Sequence, residues 1–202
     1  MNKTIAVALT GASGMPYGLR LIECVLLSGA RVQVLYSQAA QIVMKQELHL
    51  ALPSRASDAQ QWFCKRFETD ASRLQVFGRE EWFAPLASGS NPPDAMVVCP
   101  CTMGTLASIA AGLSADLIER AADVRIKEGR KLVLVPREAP FSTLHLENML
   151  RLSRMGVVIL PPNPGFYHHP ESVQDLVDFV VARILDQIGL PHTLMTRWGA
   201  CG

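Results

Sequence analysis

An α/β fold built on one mostly parallel, doubly wound sheet is predicted by three features of this 202-residue sequence. Short apolar runs rich in Val, Ile and Leu recur along the chain, as in strands buried on both faces. Segments with helical spacing stand between them, and such β/α alternation builds a parallel sheet covered on both sides. Several of the strands also lead into Gly, Ser, Thr or Arg, and ligands of open α/β sheets bind at that end.

The first strand is Ile5–Leu9, followed by a Gly-rich turn and a helix from about Pro16 to Leu27. Pro16 suits a first helical turn, where its missing N–H is not needed. Val32–Tyr36 is the second strand, after which Ser37 starts a helix reaching about Glu47. Residues 50–93 are the least regular part. They are read as a short helix around Gln60–Phe67, a short strand near Gln75–Phe77 and a Gly, Ser and Pro loop from Ala87 to Pro93. Ala95–Cys99 is a third clear strand and leads into a small-residue helix, Met103–Ala111.

A helical stretch near Leu117–Lys127 precedes the strand Leu132–Val135, which Pro136 stops. Ser142 caps a helix to about Arg154, and Val157–Leu160 is the last strand. Pro161–Gly165 is too rigid and too broken for either regular element. Glu171–Ile188 reads as an amphipathic helix with Val173, Leu176, Val177, Val180 and Ile184 on one stripe. With no internal repeat and no linker, residues 1–202 are expected to form a single Rossmann-like, three-layer domain, with a C-terminal tail from about 189.

A net charge of +1 offers no broad basic surface to nucleic acid or an anionic membrane. No apolar run approaches a membrane span. The chain enters a strand almost at once, leaving no room for a signal peptide, so a cytoplasmic location is expected. The five cysteines are an odd count, against a disulfide framework. Cys99-Pro100-Cys101 is shorter than the usual Cys-x-x-Cys spacing and has no second pair, so buried unpaired thiols are expected there.

Thr10-Gly11-Ala12-Ser13-Gly14 lies between the first strand and its helix, where backbone N–H groups form an anion site. Two absences argue against a nicotinamide cofactor. The second strand ends in Tyr36-Ser37 rather than an acidic residue, and there is no Tyr-x-x-x-Lys pair. A mononucleotide fits better than a dinucleotide.

Thr102-Met103-Gly104-Thr105 repeats the arrangement at the third clear strand. Hydroxyls at Ser13, Ser37, Thr102 and Thr105 suggest one shared ligand rather than separate helix caps. Arg137 and Glu138 follow Pro136; a guanidinium fork matches phosphate oxygens, and the carboxylate beside it can move protons. The alternative there is a surface ion pair capping the next helix. Tyr167 is held by a proline-stiffened loop. His168 and His169 beside it lack a third ligand of sensible spacing, so no metal is expected. Arg183 stands at the edge of the last apolar stripe, where a solvated surface Arg is the default.

Together these residues resemble the flavin prenyltransferases of the UbiX type, long described as aromatic-acid decarboxylases. The resemblance runs from the TGASG turn to the region of Trp198. It includes ASGS at Ala87–Ser90, CPCTMGTL at Cys99–Leu106, LIERAADV at Leu117–Val124, LVPREAPFS at Leu134–Ser142, HLENML at His145–Leu150 and PGFYH at Pro164–His168. It implies an enzyme that binds FMN and alkylates the reduced flavin with dimethylallyl phosphate, first at N5 and then at C6. The prenylated flavin would pass to a UbiD-type decarboxylase.

By the same resemblance, FMN would contact Gly11, Ala12, Ser13, Ser37, Thr102, Met103, Gly104, Thr105 and Arg137. The prenyl phosphate would be held by Tyr167 and Arg183, with Lys127, Arg120 and Trp198 close by. Catalytic roles fall to Ser13, placed near N5, to Glu47, and to Glu138 as the base for C6. A homo-oligomer, a dodecamer with sites at subunit contacts, is implied, and no metal. Gln38 stands where the family often has Lys, Ala115-Asp116 where Asn-Asn is common, and Met15-Pro16 is also a variant. Two rival readings share the fold: a flavoprotein that decarboxylates its substrate, and a non-catalytic FMN carrier. The peptidyl-cysteine decarboxylases rely on a His in the first third and a PxMNxxMW-like segment. Here His49 is the only His before residue 100, and that segment is missing.

Overall fold

The computed structural model describes residues 3–195. In chain order the elements are β1 (Thr4–Leu9), α1 (Met15–Leu27), β2 (Arg31–Tyr36), α2 (Gln38–Leu48), α3 (Ala56–Arg66) and β3 (Leu74–Val76). After a single 3₁₀ turn at Pro85–Ala87 come β4 (Ala95–Cys101), α4 (Met103–Ala110), α5 (Leu117–Lys127) and β5 (Lys131–Pro136). The chain continues with α6 (Thr143–Arg154), β6 (Val158–Ile159) and α7 (Val173–Ile188).

The six strands form one sheet in the order β3-β2-β1-β4-β5-β6, and every pairing is parallel. The chain moves outward from β1 to β3, then crosses back to place β4 on the other side of β1. The crevice at the carboxyl ends of β1 and β4 is therefore the topological switch point, where ligands of this architecture bind.

Side chains alternate across the sheet with period two. Ile5, Val7 and Leu9 of β1 pack with α1, α2, α3 and α7, whereas Ala6 and Ala8 face α4, α5 and α6. Both faces are buried, which is why these strands read as continuous apolar runs. Helix α1 lies close on the sheet because residue 18 is Gly. A Cβ there would stand 2.5 Å from Leu9 Cδ2 and 2.6 Å from the Cys99 carbonyl oxygen. Arg20 then ties α1 to α7, its Nε and Nη2 donating to the two oxygens of Asp178 at 2.7 and 3.0 Å.

The structure moves several sequence boundaries. Strand β4 runs on through Pro100 to Cys101 instead of stopping at Cys99. Proline cannot donate to a ladder, but its carbonyl can accept, and Pro100 O takes the N–H of Thr10 at 3.2 Å. Helix α3 starts at Ala56, four residues before the expected Gln60, because Ala59 and Phe63 are the residues it buries. The last strand shrinks to Val158–Ile159. Helix α7 begins at Val173, after a capping box between Ser172 and Asp175. The sheet is wholly rather than mostly parallel. Ser142 caps α6 as expected, reciprocated by His145.

Cys99 and Cys101 are fully buried free thiols. Burial pushes Cys101 up to about 12 and raises Cys99 as well, so both are inert at neutral pH. A different burial carries a stability cost. Arg125 is 1% exposed. It donates through Nη2 to the Pro93 carbonyl, but its Nε and Nη1 have no partner among the described residues. Burial pushes its pKa down to about 10. Arg125→Met is therefore expected to stabilise the fold by about 1–2 kcal/mol, since apolar replacements of buried charges often do. The urea midpoint reads this, and a midpoint that falls contradicts it.

Candidate active site

The turn after β1 is held from three sides. Gly14 has a φ of 121°, a conformation open to Gly and strained for other residues. The Glu47 carboxylate, in the last turn of α2, accepts from Gly14 N at 3.1 Å and from Met15 N at 2.9 Å. It thus supplies the first turn of α1 with the acceptor that no side chain of the turn provides. Gly11 lies against α2 so closely that a Cβ would fall 2.3 Å from the Ala39 Cβ.

Thr10, 1% exposed, joins the two strands of the switch point. Its Oγ1 donates to Pro100 O and accepts from Thr102 N, each at 2.8 Å. Sequence reasoning assigned Thr10 no role, since nothing local says which strand its hydroxyl reaches.

Ser37 and Thr102 occupy their expected places at strand ends, and both are helix caps. Ser37 Oγ accepts from Ala40 N at 3.1 Å. Thr102 Oγ1 accepts from Thr105 N at 3.0 Å and donates to Thr105 Oγ1 at 2.9 Å. A cap and an anion site are not exclusive, because each cap orients a helix N-terminus whose remaining amides face the same edge. The N-termini of α1, α2 and α4 all open at the carboxyl edge of β1, β2 and β4. Ser13 and Gly104 are exposed there, while Ala12 and Met103 are buried beneath.

Arg137 follows β5 at the same edge, its N–H on the Cys101 carbonyl at 3.3 Å and its side chain exposed. Glu138 is exposed beside it, with Oε1 accepting from Ala139 N at 3.1 Å. The two side chains do not form the ion pair considered from sequence; among the described residues no salt bridge joins them.

The residues expected to hold a prenyl phosphate fall elsewhere. Tyr167 packs against Phe179 of α7, ring centres 5.9 Å apart, with His168 4.4 Å from Tyr167. Arg183 is one helical turn beyond Phe179 on the same face. It sits toward the amino edge of the sheet, where Lys3 Nζ donates to Gly189 O at 2.7 Å just past the end of α7. Arg120 spends Nε on the Ala87 carbonyl and Nη1 on Asp123, each at 3.0 Å. Lys127 pairs with Glu128 at 2.6 Å at the end of α5, next to the loop that enters β5. It too is at the amino edge, about 20 Å of strand from the crevice. One subunit therefore brings together the strand-end residues expected to hold FMN but not Lys127 or Arg183. Trp198 lies outside the described residues. Among the described residues no three His, Cys, Asp or Glu side chains gather in a metal-holding group.

The donor set at the switch point suits one phosphate and one polyol arm: amides at three helix starts, hydroxyls at the strand ends and an arginine, with no acidic residue closing β2. Residues 1–185 match the family model described as Flavoprotein. The chain is 55% identical over 195 residues to the flavin prenyltransferase UbiX of Pseudomonas aeruginosa, covering 96% of this chain and 93% of that protein. The chain belongs to the UbiX family of flavin prenyltransferases. Among solved UbiX structures, AnUbiX (PadA1) in complex with FMN and dimethylallyl pyrophosphate superposes with a TM-score of 0.88. It is 37% identical, and each chain is fully covered. The dodecameric FMN-dependent UbiX-like decarboxylase from Escherichia coli O157:H7 follows at a TM-score of 0.84 and 43% identity, over 98% of this chain and all of that one.

Proposed function

We propose that this chain is a flavin prenyltransferase that joins a dimethylallyl group from dimethylallyl phosphate to N5 and C6 of reduced FMN. One observation carries the reading: a phosphate-type donor set at the switch point, in a chain 55% identical to an enzyme of that name. Gly11, Ala12, Ser13, Ser37, Thr102–Thr105 and Arg137 would hold FMN. The bound reduced flavin supplies the nucleophilic ring; the residues around it do the rest.

Cleaving the allylic C–O bond leaves negative charge on phosphate and positive charge on the prenyl carbon. Guanidinium groups stabilise the first and aromatic faces the second, roles we give to Arg183 and Tyr167. Because Lys127 and Arg183 lie far from the crevice of their own subunit, the complete site is assigned to a contact between subunits. The dodecamer of the Escherichia coli relative supports this. The recipient of the product is proposed to be a UbiD-type decarboxylase, and the location cytoplasmic; among the described residues no helix is long and apolar enough to cross a membrane.

Anaerobic incubation with reduced FMN and dimethylallyl phosphate, followed by mass spectrometry, tests the reading. A flavin heavier by one five-carbon unit supports it, whereas unmodified bound FMN indicates the carrier. Loss of CO₂ from an aromatic acid by the purified protein alone would indicate the decarboxylase. Running the monophosphate beside the diphosphate identifies the donor.

Glu138 is the proposed base for the C6 proton. Glu138→Gln is expected to slow formation of the four-ring product about 100-fold, with FMN affinity unchanged. Product formed at the normal rate removes Glu138 from this role.

A further inference from the structure

We infer that Asp186 and His192 form a positioning pair that orients Arg183 toward the phosphate of the prenyl donor, an inference that rests on the reading of Arg183 given above. Arg183 donates through Nη1 to Asp186 Oδ2 at 2.7 Å. The other carboxylate oxygen of Asp186, Oδ1, lies 3.2 Å from His192 Nε2. The Asp186 carboxylate is thus engaged at both oxygens and held in one orientation.

An ordinary helix-surface ion pair has no such second anchor. Residue 192 cannot reach residue 186 along a continuous helix, since only residues three and four apart face each other. The contact exists because α7 ends at Gly189, whose φ of 66° turns the chain back, and because Leu190 and Leu194 seat the returning segment on the core. The His192 side chain is only 6% exposed. Its Nδ1 is buried with no partner among the described residues. A buried lone pair is easier to leave there than a buried N–H, so the ring hydrogen is assigned to Nε2, facing Asp186.

The geometry at Arg183 matters for its task. With Nη1 on Asp186, the edge formed by Nε and Nη2 remains, two parallel N–H groups in the fork that binds a phosphate through two oxygens. The side chain is about half exposed, so that edge is accessible to a ligand while the opposite one is fixed. The segment after α7 is therefore a working part of the donor site.

Steady-state kinetics with reduced FMN and dimethylallyl phosphate test this on the intact protein. Asp186→Asn and His192→Ala are each expected to raise KM for dimethylallyl phosphate about tenfold, the loss of a hydrogen bond to a charged group. kcat, FMN affinity and Tm should be nearly unchanged. His192→Gln, whose amide N–H can replace Nε2, is expected to restore most of the KM. Arg183→Ala is run in parallel. If it lowers kcat/KM for dimethylallyl phosphate but Asp186→Asn and His192→Ala leave KM unaltered, the positioning pair is overturned and the reading of Arg183 stands. If Arg183→Ala leaves kcat/KM unaltered, that reading falls and the pair with it. A KM rise matched by losses in Tm and FMN affinity shows a structural prop and also overturns the inference.

Discussion

Arg183→Ala is expected to lower kcat/KM for dimethylallyl phosphate by about 10²–10³-fold while FMN binding is unchanged. The magnitude follows from removing one preorganised cation from a site where negative charge grows on the leaving phosphate, typically about 3–4 kcal/mol of transition-state stabilisation. The selectivity follows from position. Arg183 is on α7, one turn from Phe179 and toward the amino edge of the sheet, whereas the residues proposed to hold FMN line the carboxyl edge. Arg183→Lys should recover only part of the loss, because an ammonium is a point charge and cannot offer two parallel N–H groups. Equal losses in FMN affinity and donor turnover would place Arg183 on the flavin instead.

The largest structural effect is expected from Gly18→Ala. Its new Cβ would meet Leu9 Cδ2 at 2.5 Å and the Cys99 carbonyl oxygen at 2.6 Å, and backbone cannot swing aside as a side-chain tip can. Helix α1 must lift from the sheet. Overpacking of this kind costs about 3 kcal/mol, which for a chain of this size lowers Tm by roughly 6–12 °C. The displacement also moves the Gly14 and Met15 amides away from the end of β4, so FMN affinity should fall with stability. Gly29→Ala is the matched control. Residue 29 has a φ of 85° but nothing within 4 Å of the new Cβ, so only backbone strain of about 1 kcal/mol applies. Thermal melts of the two variants that coincide would refute the close-packing account.

Much of the candidate site is legible in the sequence because strand-end chemistry is local. A Gly-rich turn, a capping hydroxyl and an Arg after a proline can each be recognised within five residues. What they connect to is not local. Thr10 meets Thr102 across 92 positions, Glu47 meets Gly14 across 33, and Arg20 meets Asp178 across 158. No periodicity encodes these pairings. Glu47 illustrates the difference: resemblance placed it at the site as a catalytic residue, and the structure shows its carboxylate on the backbone amides of the first turn.

The sequence by itself determined the class of the fold, the positions of its main strands and helices and the character of its ligand edge, because burial on both faces and helix-start chemistry leave marks on neighbouring residues. Only the tertiary structure decided the strand order that creates the switch point, the continuation of β4 through Pro100, and the separation of Lys127 and Arg183 from the residues proposed to hold FMN. Those features depend on which elements pack side by side, and packing is settled by contacts between residues far apart in the chain.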